Sequence, residues 1–474
     1  MPTPNGITAK IDNILYRFQT KKNCGRVGLM MVGFAGNNGT TILGGIIANR
    51  EKMSWNTKKG VQHANMLGSM TQSSTMKVAD SPDGEFYMKI NEVIPLVKPE
   101  DLIVSGWDIN SMDLANAMKR AQVFDYELQQ KLEPFMKEYK PMKSIYYSDF
   151  IAANQEDRAD NILEGNDKLL HLDTIRQDIA NFKKNNNLDS IIILWTANTE
   201  RFALEIAGVN DTYENIMKSV KENHPEIAPS TIFALAALQE NCVFINGSPQ
   251  NTFVKGIRDA PFPGLLIGND FKTGQTKFKT SFIDFLTSAG IKPKSCVSYN
   301  HLGNNDGKNL ASEKQFKSKE TSKSECIKDL LDNSLLYDPR HPEDYPDHTV
   351  VIKYVPNAGD SKKAIDEYSS EIFMGGEHTF VSYNVCEDSL LAAGIIIDLI
   401  VLSELMTRIS YKRNQDDWQH LEGVVSFLGY LTKAPESKGP IINSLPRQRA
   451  CIENLIRVLV GLPLEDNLLL GYRL

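Results

Sequence analysis

The feature that most limits how this chain can fold is the apolar run at residues 27–34, VGLMMVGF, joined to a glycine-rich segment. The run shows no period-2 alternation, so it reads as a strand covered on both faces, the mark of a central strand in a parallel sheet. It leads into Gly33-Phe34-Ala35-Gly36-Asn37-Asn38-Gly39. Gly36 and Gly39 punctuate a turn, Thr40 or Thr41 can begin a helix, and Ile42, Ile46 and Ile47 then recur at helical spacing. Strand, glycine turn and helix make a βα unit.

Further apolar runs fit the same sheet: 102–107 ending in Asp108, 190–196 (SIIILWT), 242–245 (CVFI) and 265–267. Each gives way to polar residues, as expected where ligands gather at the carboxyl ends of an open parallel sheet. A standard Rossmann half would place its second strand directly after the first helix, but residues 51–86 are polar, so an insertion is expected there. Near Lys277 the character changes. FIDFLTSAG reads as a helix, SCVSYN as a strand, and a Lys-rich stretch continues to about Glu377. The fold class is therefore α/β: a Rossmann-type domain over 12–276 and 391–474, with a second α+β domain over 277–390.

Bulk properties agree. A chain of 474 residues exceeds what one core usually serves. A net charge of -7 argues against nucleic acid as a partner, since replacing counterions on phosphates needs a basic surplus. The N-terminus lacks the apolar segment of a signal peptide and the Arg-rich character of a transit peptide, which makes the expected location cytoplasmic. Cys24, Cys242, Cys296, Cys326, Cys386 and Cys451 form no CxxC pair, so no metal site is expected. The apolar stretch Leu390 to Leu402 is interrupted by Asp398; it reads as too short and too polar to span a bilayer, hence as a buried helix and no membrane partner.

The glycine turn is where chemistry enters. Glycines let the backbone approach a pyrophosphate, whose charge free N–H groups and the helix dipole stabilise. Ala35 stands where the second glycine of such turns is usual. Asp108 could accept hydrogen bonds from ribose hydroxyls or could cap a helix, as could Asn110 or Ser111. Lys314, Lys317, Lys319 and Lys323 crowd one stretch, and Lys362 and Lys363 lie further on. Lys319 and Lys323 share a helical face and repel unless an anion lies between them; a solvated basic face is the alternative.

The strings GFAGNNG (33–39), LWTANTERF (194–202), NGSPQNTFVKG (246–256), SYNHLGNNDG (298–307) and CEDSLLAAG (386–394) together resemble the myo-inositol-1-phosphate synthase family, in unchanged order over most of the chain. The resemblance implies a homotetramer with a Rossmann domain, a second domain carrying catalysis and tetramerisation, and a chain end that returns to the first. It also implies isomerisation of D-glucose 6-phosphate to 1L-myo-inositol 1-phosphate with NAD reduced and reoxidised in one turnover, the committed step of inositol and phosphoinositide biosynthesis. A net dehydrogenase acting on another phosphorylated polyol would use similar groups and is the rival reading.

Carried over residue by residue, Lys319 matches the base for the C5 hydroxyl, a role that needs a neutral lysine with a lowered pKa. Lys362 and Lys433 match lysines at the developing oxyanion. Lys323, Asn304, Thr273 and Gly274 match the phosphate site; Asp270, Asn300, Asn305 and Asp306 match groups that orient hydroxyls, Leu302 lies at the substrate, and Asp388 positions a lysine. Gly33, Gly36, Asn37, Asn38 and Gly39 match the pyrophosphate turn, Asp108 the ribose, and Ser148, Thr196, Asn198, Thr199 and Ser248 the rest of the dinucleotide. Three departures stand out: Ala35, expected to push the pyrophosphate outward; Thr273 where serine is commoner; and Lys255 in place of proline.

Overall fold

The computed structural model describes residues 13–81, 83–338 and 340–466, with a short pairing of Pro2–Thr3 against Gly6–Ile7. The outer domain limits expected at residue 12 and at 474 lie outside the described residues. The strands that organise the molecule are β1 Val27–Val32, β2 Ile103–Asp108, β3 Met142–Lys143, β4 Ser190–Trp195, β5 Val243–Asn246 and β6 Leu265–Ile267. They continue as β7 Lys292–Leu302, β8 Asp347–Tyr354, β9 Ser361–Ile372, β10 Gly376–Glu387 and β11 Gly423–Val424.

The first six and β11 form a seven-stranded parallel sheet in the order β3-β2-β1-β4-β5-β6-β11. Every residue of β1 is buried, as the unbroken apolar run requires. The expected strands all occur, within a residue or two of the expected limits. The short outer strands β3 and β11 were not expected, because two residues carry no pattern. The polar insertion forms two hairpins, Ser54–Thr57 with Gly60–His63 and Thr75–Ser81 with Gly84–Lys89.

β7 to β10 form a second sheet in the order β8-β7-β9-β10. One face packs under helices Gly274–Ser288 and Glu313–Asp332, through Ile283, Leu286, Cys296, Cys326 and Tyr368. The first of these helices spans the expected boundary at 276/277, and helix Asp388–Thr407 spans the one at 390/391.

That last helix corrects one expectation. It starts at Asp388, so it is long and apolar enough by length and composition to cross a membrane. Instead it is core. Ile396, Leu399, Ile400, Val401, Leu402 and Leu405 are fully buried in the cluster that includes β1 and helix Asn37–Arg50. Its Asp398, also buried, accepts from Ser69 Oγ at 2.7 Å, Met70 N at 2.6 Å, and Thr71 N and Oγ1 at 2.8 and 2.7 Å.

Candidate active site

The turn after β1 is built by close packing. Gly33 has φ +87, and its N–H and that of Phe34 donate to Trp107 O at 2.8 and 3.0 Å. A Cβ on Gly33 would strike the Ala197 backbone, and one on Gly39 the Phe34 carbonyl. The helix begins at Asn37 with Gly36 as its cap, earlier than Thr40, because the Thr40 and Thr41 hydroxyls bond back to carbonyls of the first turn. No side chain caps this helix, so its first N–H groups are left for an anion.

Ala35 is fully buried, lies outside the cavity lining, and donates its N–H to Asp108 Oδ2 at 2.9 Å. Its methyl is packed away from the cavity and not toward it. Asp108 both lines the cavity and holds the turn, its other oxygen accepting from Asn110 N at 2.9 Å. Burial raises its carboxyl, against the pull of Arg158. Thr196, Asn198, Thr199 and Ser248 line the same cavity with Gly33, Gly36, Asn37 and Asn38, and Asn38 Nδ2 donates to Thr196 Oγ1 at 3.0 Å. Ser148 is exposed and lies outside it; Ser144 and Tyr146 form that part of the wall.

The cavity runs on without a break to Asp270, Thr273, Asn304, Asn305, Asp306, Lys319, Lys362, Asp388 and Lys433. Asp270, buried and in the left-handed region at φ 60, holds two lysines. Lys319 Nζ reaches Oδ1 at 3.1 Å, while Lys433 Nζ and Ser322 Oγ reach Oδ2 at 3.0 and 2.7 Å. Burial pushes the Asp270 carboxyl up, but Lys319, Lys433 and Ser322 outweigh it and hold it at about 2. Burial pushes Lys433 down to about 7, with Lys319 and Lys362 assisting. Lys319 goes the other way: Asp270, Asp306 and Asp388 overcome its burial and raise it. Of the pair, Lys433 is therefore the one pushed toward giving up its proton and Lys319 the one that holds it more firmly, because Lys319 faces more carboxylates.

Lys362 Nζ lies 3.9 Å from Asp388 Oδ1, and Asn304 Nδ2 lies 3.5 Å from Oδ2. Asp306 is committed to Thr199, whose N–H and Oγ1 approach at 3.0 and 3.2 Å, and Asn305 donates to Gln155 at 2.8 Å and Asn198 at 3.2 Å. These two expected hydroxyl binders tie the second domain to the loop after β4.

Lys323, Asn300, Gly274 and Leu302 stand behind the cavity wall. The buried Lys323 Nζ touches Asn300 Oδ1 at 2.9 Å and Gln275 Oε1 at 3.2 Å. Burial and the surrounding lysines push it well down. Gly274 opens a helix capped by no side chain beside it. Leu302 turns into an apolar cluster with Leu310, Val350 and Ile352, so its side chain is structural. Ser322, Gln155 and Gln275 were missed from sequence; Ser322 sits three residues after Lys319, a helical spacing that could have revealed it.

A model of the myo-inositol-1-phosphate synthase family, described as NAD-binding, matches residues 27–457. The chain belongs to that family. It is 51% identical over 97% of its length to the inositol-3-phosphate synthase of Dictyostelium discoideum, covering 90% of that protein. To inositol-3-phosphate synthase 1 of Populus euphratica it is 50% identical, over 98% of this chain and 92% of the relative. The crystal structure of inositol-3-phosphate synthase from Caenorhabditis elegans superposes with TM-score 0.95 at 46% identity, over 98% of this chain and 91% of that one. Membership in the myo-inositol-1-phosphate synthase family agrees with the residues described: an open helix N-terminus and Asp108 at one end of a cavity suit a dinucleotide, and the lysines gathered near Asp270 suit an anionic, enolising substrate.

Proposed function

We propose that the chain converts D-glucose 6-phosphate to 1L-myo-inositol 1-phosphate with NAD, and that Asp270 and its two lysines carry the proton transfers. One observation supports this above all: Lys319 and Lys433 share one carboxylate, so one stays charged while the other is held near neutrality.

NAD fits the turn. The N–H groups of the helix opening at Asn37, with Gly36 at its cap and Asn38 beside Thr196, would hold the pyrophosphate; Asp108 would hold a ribose. Bound there, NAD supplies a hydride acceptor that returns the hydride before product leaves. Lys433, as free amine, takes the proton of the C5 hydroxyl and releases it to solvent; free again, it takes the C6 proton once the C5 ketone has acidified it and passes that proton to O1 as the ring closes, while the C5 oxygen regains a proton from solvent when the hydride returns. Lys319 keeps its proton and stabilises the enolate oxygen. Lys362, steered by Asp388, meets the negative charge that grows on O1 as the ring closes. Thr273, at the helix opening at Gly274, and Asn304 receive the phosphate from the cavity side, with Lys323 and Asn300 behind them.

The same reading assigns tetramerisation, and the catalytic Lys319 and Lys362, to the segment over 277–390, with Asp270 and Lys433 contributed from the first domain, and a cytoplasmic homotetramer to the whole. Supporting it, the uncovered face of the second sheet exposes Tyr299, Ile365, Val381, Tyr383 and Val385, with Tyr299 opposite Ile365 and Ile365 opposite Tyr383. Such a row is costly to leave in water.

Incubation with glucose 6-phosphate and catalytic NAD should yield an inositol phosphate, identified chromatographically, with no net NADH. Stoichiometric NADH would establish the rival dehydrogenase reading. Ala35→Gly should change the Kd for NAD by less than about twofold, since the methyl is turned from the cavity. A tenfold change by calorimetry would return Ala35 to the pyrophosphate.

A further inference from the structure

One turn beyond Gln275 on helix Gly274–Ser288, Lys279 is as deeply buried as Lys323: they are 2% and 3% exposed. Its Nζ lies 3.0 Å from His348 Nε2, and His348 Nδ1 lies 3.0 Å from Ser324 Oγ, which donates to Glu320 O at 3.0 Å. The protons of this chain are fixed by what each end can do. A lysine ammonium only donates, so Nε2 accepts; Nδ1 therefore carries the ring hydrogen and gives it to Ser324, whose own hydrogen goes to the Glu320 carbonyl. Burial, with Lys279 and Lys323 beside it, pushes His348 down to about 3, which keeps it a neutral acceptor. The chain ends on the turn of helix Glu313–Asp332 that carries Lys319 and Lys323.

Among the described residues, the partners of Lys323 and Lys279 are neutral amides, an imidazole and the Cys296 thiol, with no carboxylate at ion-pair distance; the buried Asp366 is one bond further off, accepting from Gln275 Nε2 at 2.9 Å. Two buried lysines with no carboxylate in direct contact are costly to keep charged together, and an anion of more than one charge between them offsets that cost. We propose that Lys279, held by His348, is a positioning residue of the phosphate subsite: it supplies a second buried positive charge that acts through Lys323 and favours a dianionic group there. This rests on the reading of Lys323 as the phosphate-binding lysine.

Steady-state kinetics on the full-length enzyme tests both layers, with inorganic phosphate as a competing probe. Lys323→Ala should raise the KM for glucose 6-phosphate; if it does not, the phosphate subsite itself is misassigned and the inference falls with it. Given that rise, Lys279→Met should raise KM and weaken inhibition by phosphate about tenfold, as for loss of one charge-assisted contact. Its kcat should stay within about threefold, and Lys279→Arg should restore KM. Lys279→Gln, which keeps a donor toward His348 while removing the charge, should behave like Lys279→Met and covers the case in which the methionine variant does not fold. A normal KM and phosphate inhibition in both neutral variants, alongside a raised KM in Lys323→Ala, would overturn the role of Lys279 alone. So would lowered thermal stability or kcat with KM unchanged, since that is the mark of a purely structural lysine.

Discussion

Lys433→Met is expected to lower kcat by roughly 10²- to 10⁴-fold, the usual worth of a positioned base, while the protein retains its capacity to bind NAD. The reason is the asymmetry around Asp270: burial holds Lys433 at about 7, whereas Lys319 is raised by the carboxylates it faces. A base must be unprotonated, so in the native enzyme kcat should climb as pH rises through about 7 and level off above it. The same value has a thermodynamic face. Between about 7 and the ordinary 10.5 the unfolded chain keeps a proton on this lysine that the folded enzyme gives up, so its contribution to stability improves as pH rises across that window. The pH profile of kcat and denaturant titrations at several pH values measure both. Should Lys319→Met erase the limb near 7 while Lys433→Met preserves it, the assignment must be reversed.

Asp398→Ala should destabilise the fold by at least about 3 kcal/mol, through loss of a buried acceptor and the orphaning of its donors. Four donors, from Ser69, Met70 and Thr71, converge on this one carboxylate within the apolar stretch from Leu390 to Leu402. Burial raises its pKa, and those hydrogen bonds oppose the rise. Chemical denaturation reads the cost directly. A change within about 1 kcal/mol would mean that the Ser69–Thr71 turn finds other acceptors.

The parallel sheet was legible because β1, β4, β5 and β6 are buried on both faces, which leaves an apolar run that no other element imitates at that length. Gly33, Gly36 and Gly39 were legible as a turn, although two of them answer to backbone packing as much as to a ligand. Lys319 and Lys323 could be placed on one face by spacing. What spacing could not supply was the company each lysine keeps. Which of Lys319 and Lys433 is neutral depends on Asp306 and Asp388, which arrive from other segments and carry no mark in the local sequence. Ser148 and Leu302 lie off the cavity for a related reason: a motif fixes a position in the chain, while the backbone around it decides whether the side chain meets the cavity or the core.

Lys433 meets Asp270 across 163 residues of chain, arriving after the last strand of the parallel sheet. During synthesis, therefore, a nascent chain that has already folded its glycine turn and its second sheet still lacks the amine proposed to take the proton. The Asp270 carboxylate then waits with Lys319 alone. A product truncated between β11 and this residue would keep the glycine turn, the core helix Asp388–Thr407 and Lys319, Lys323 and Lys362, yet it would lack Lys433. On the proposed role of Lys433, late arrival of this one side chain leaves any chain that stops short of it catalytically silent.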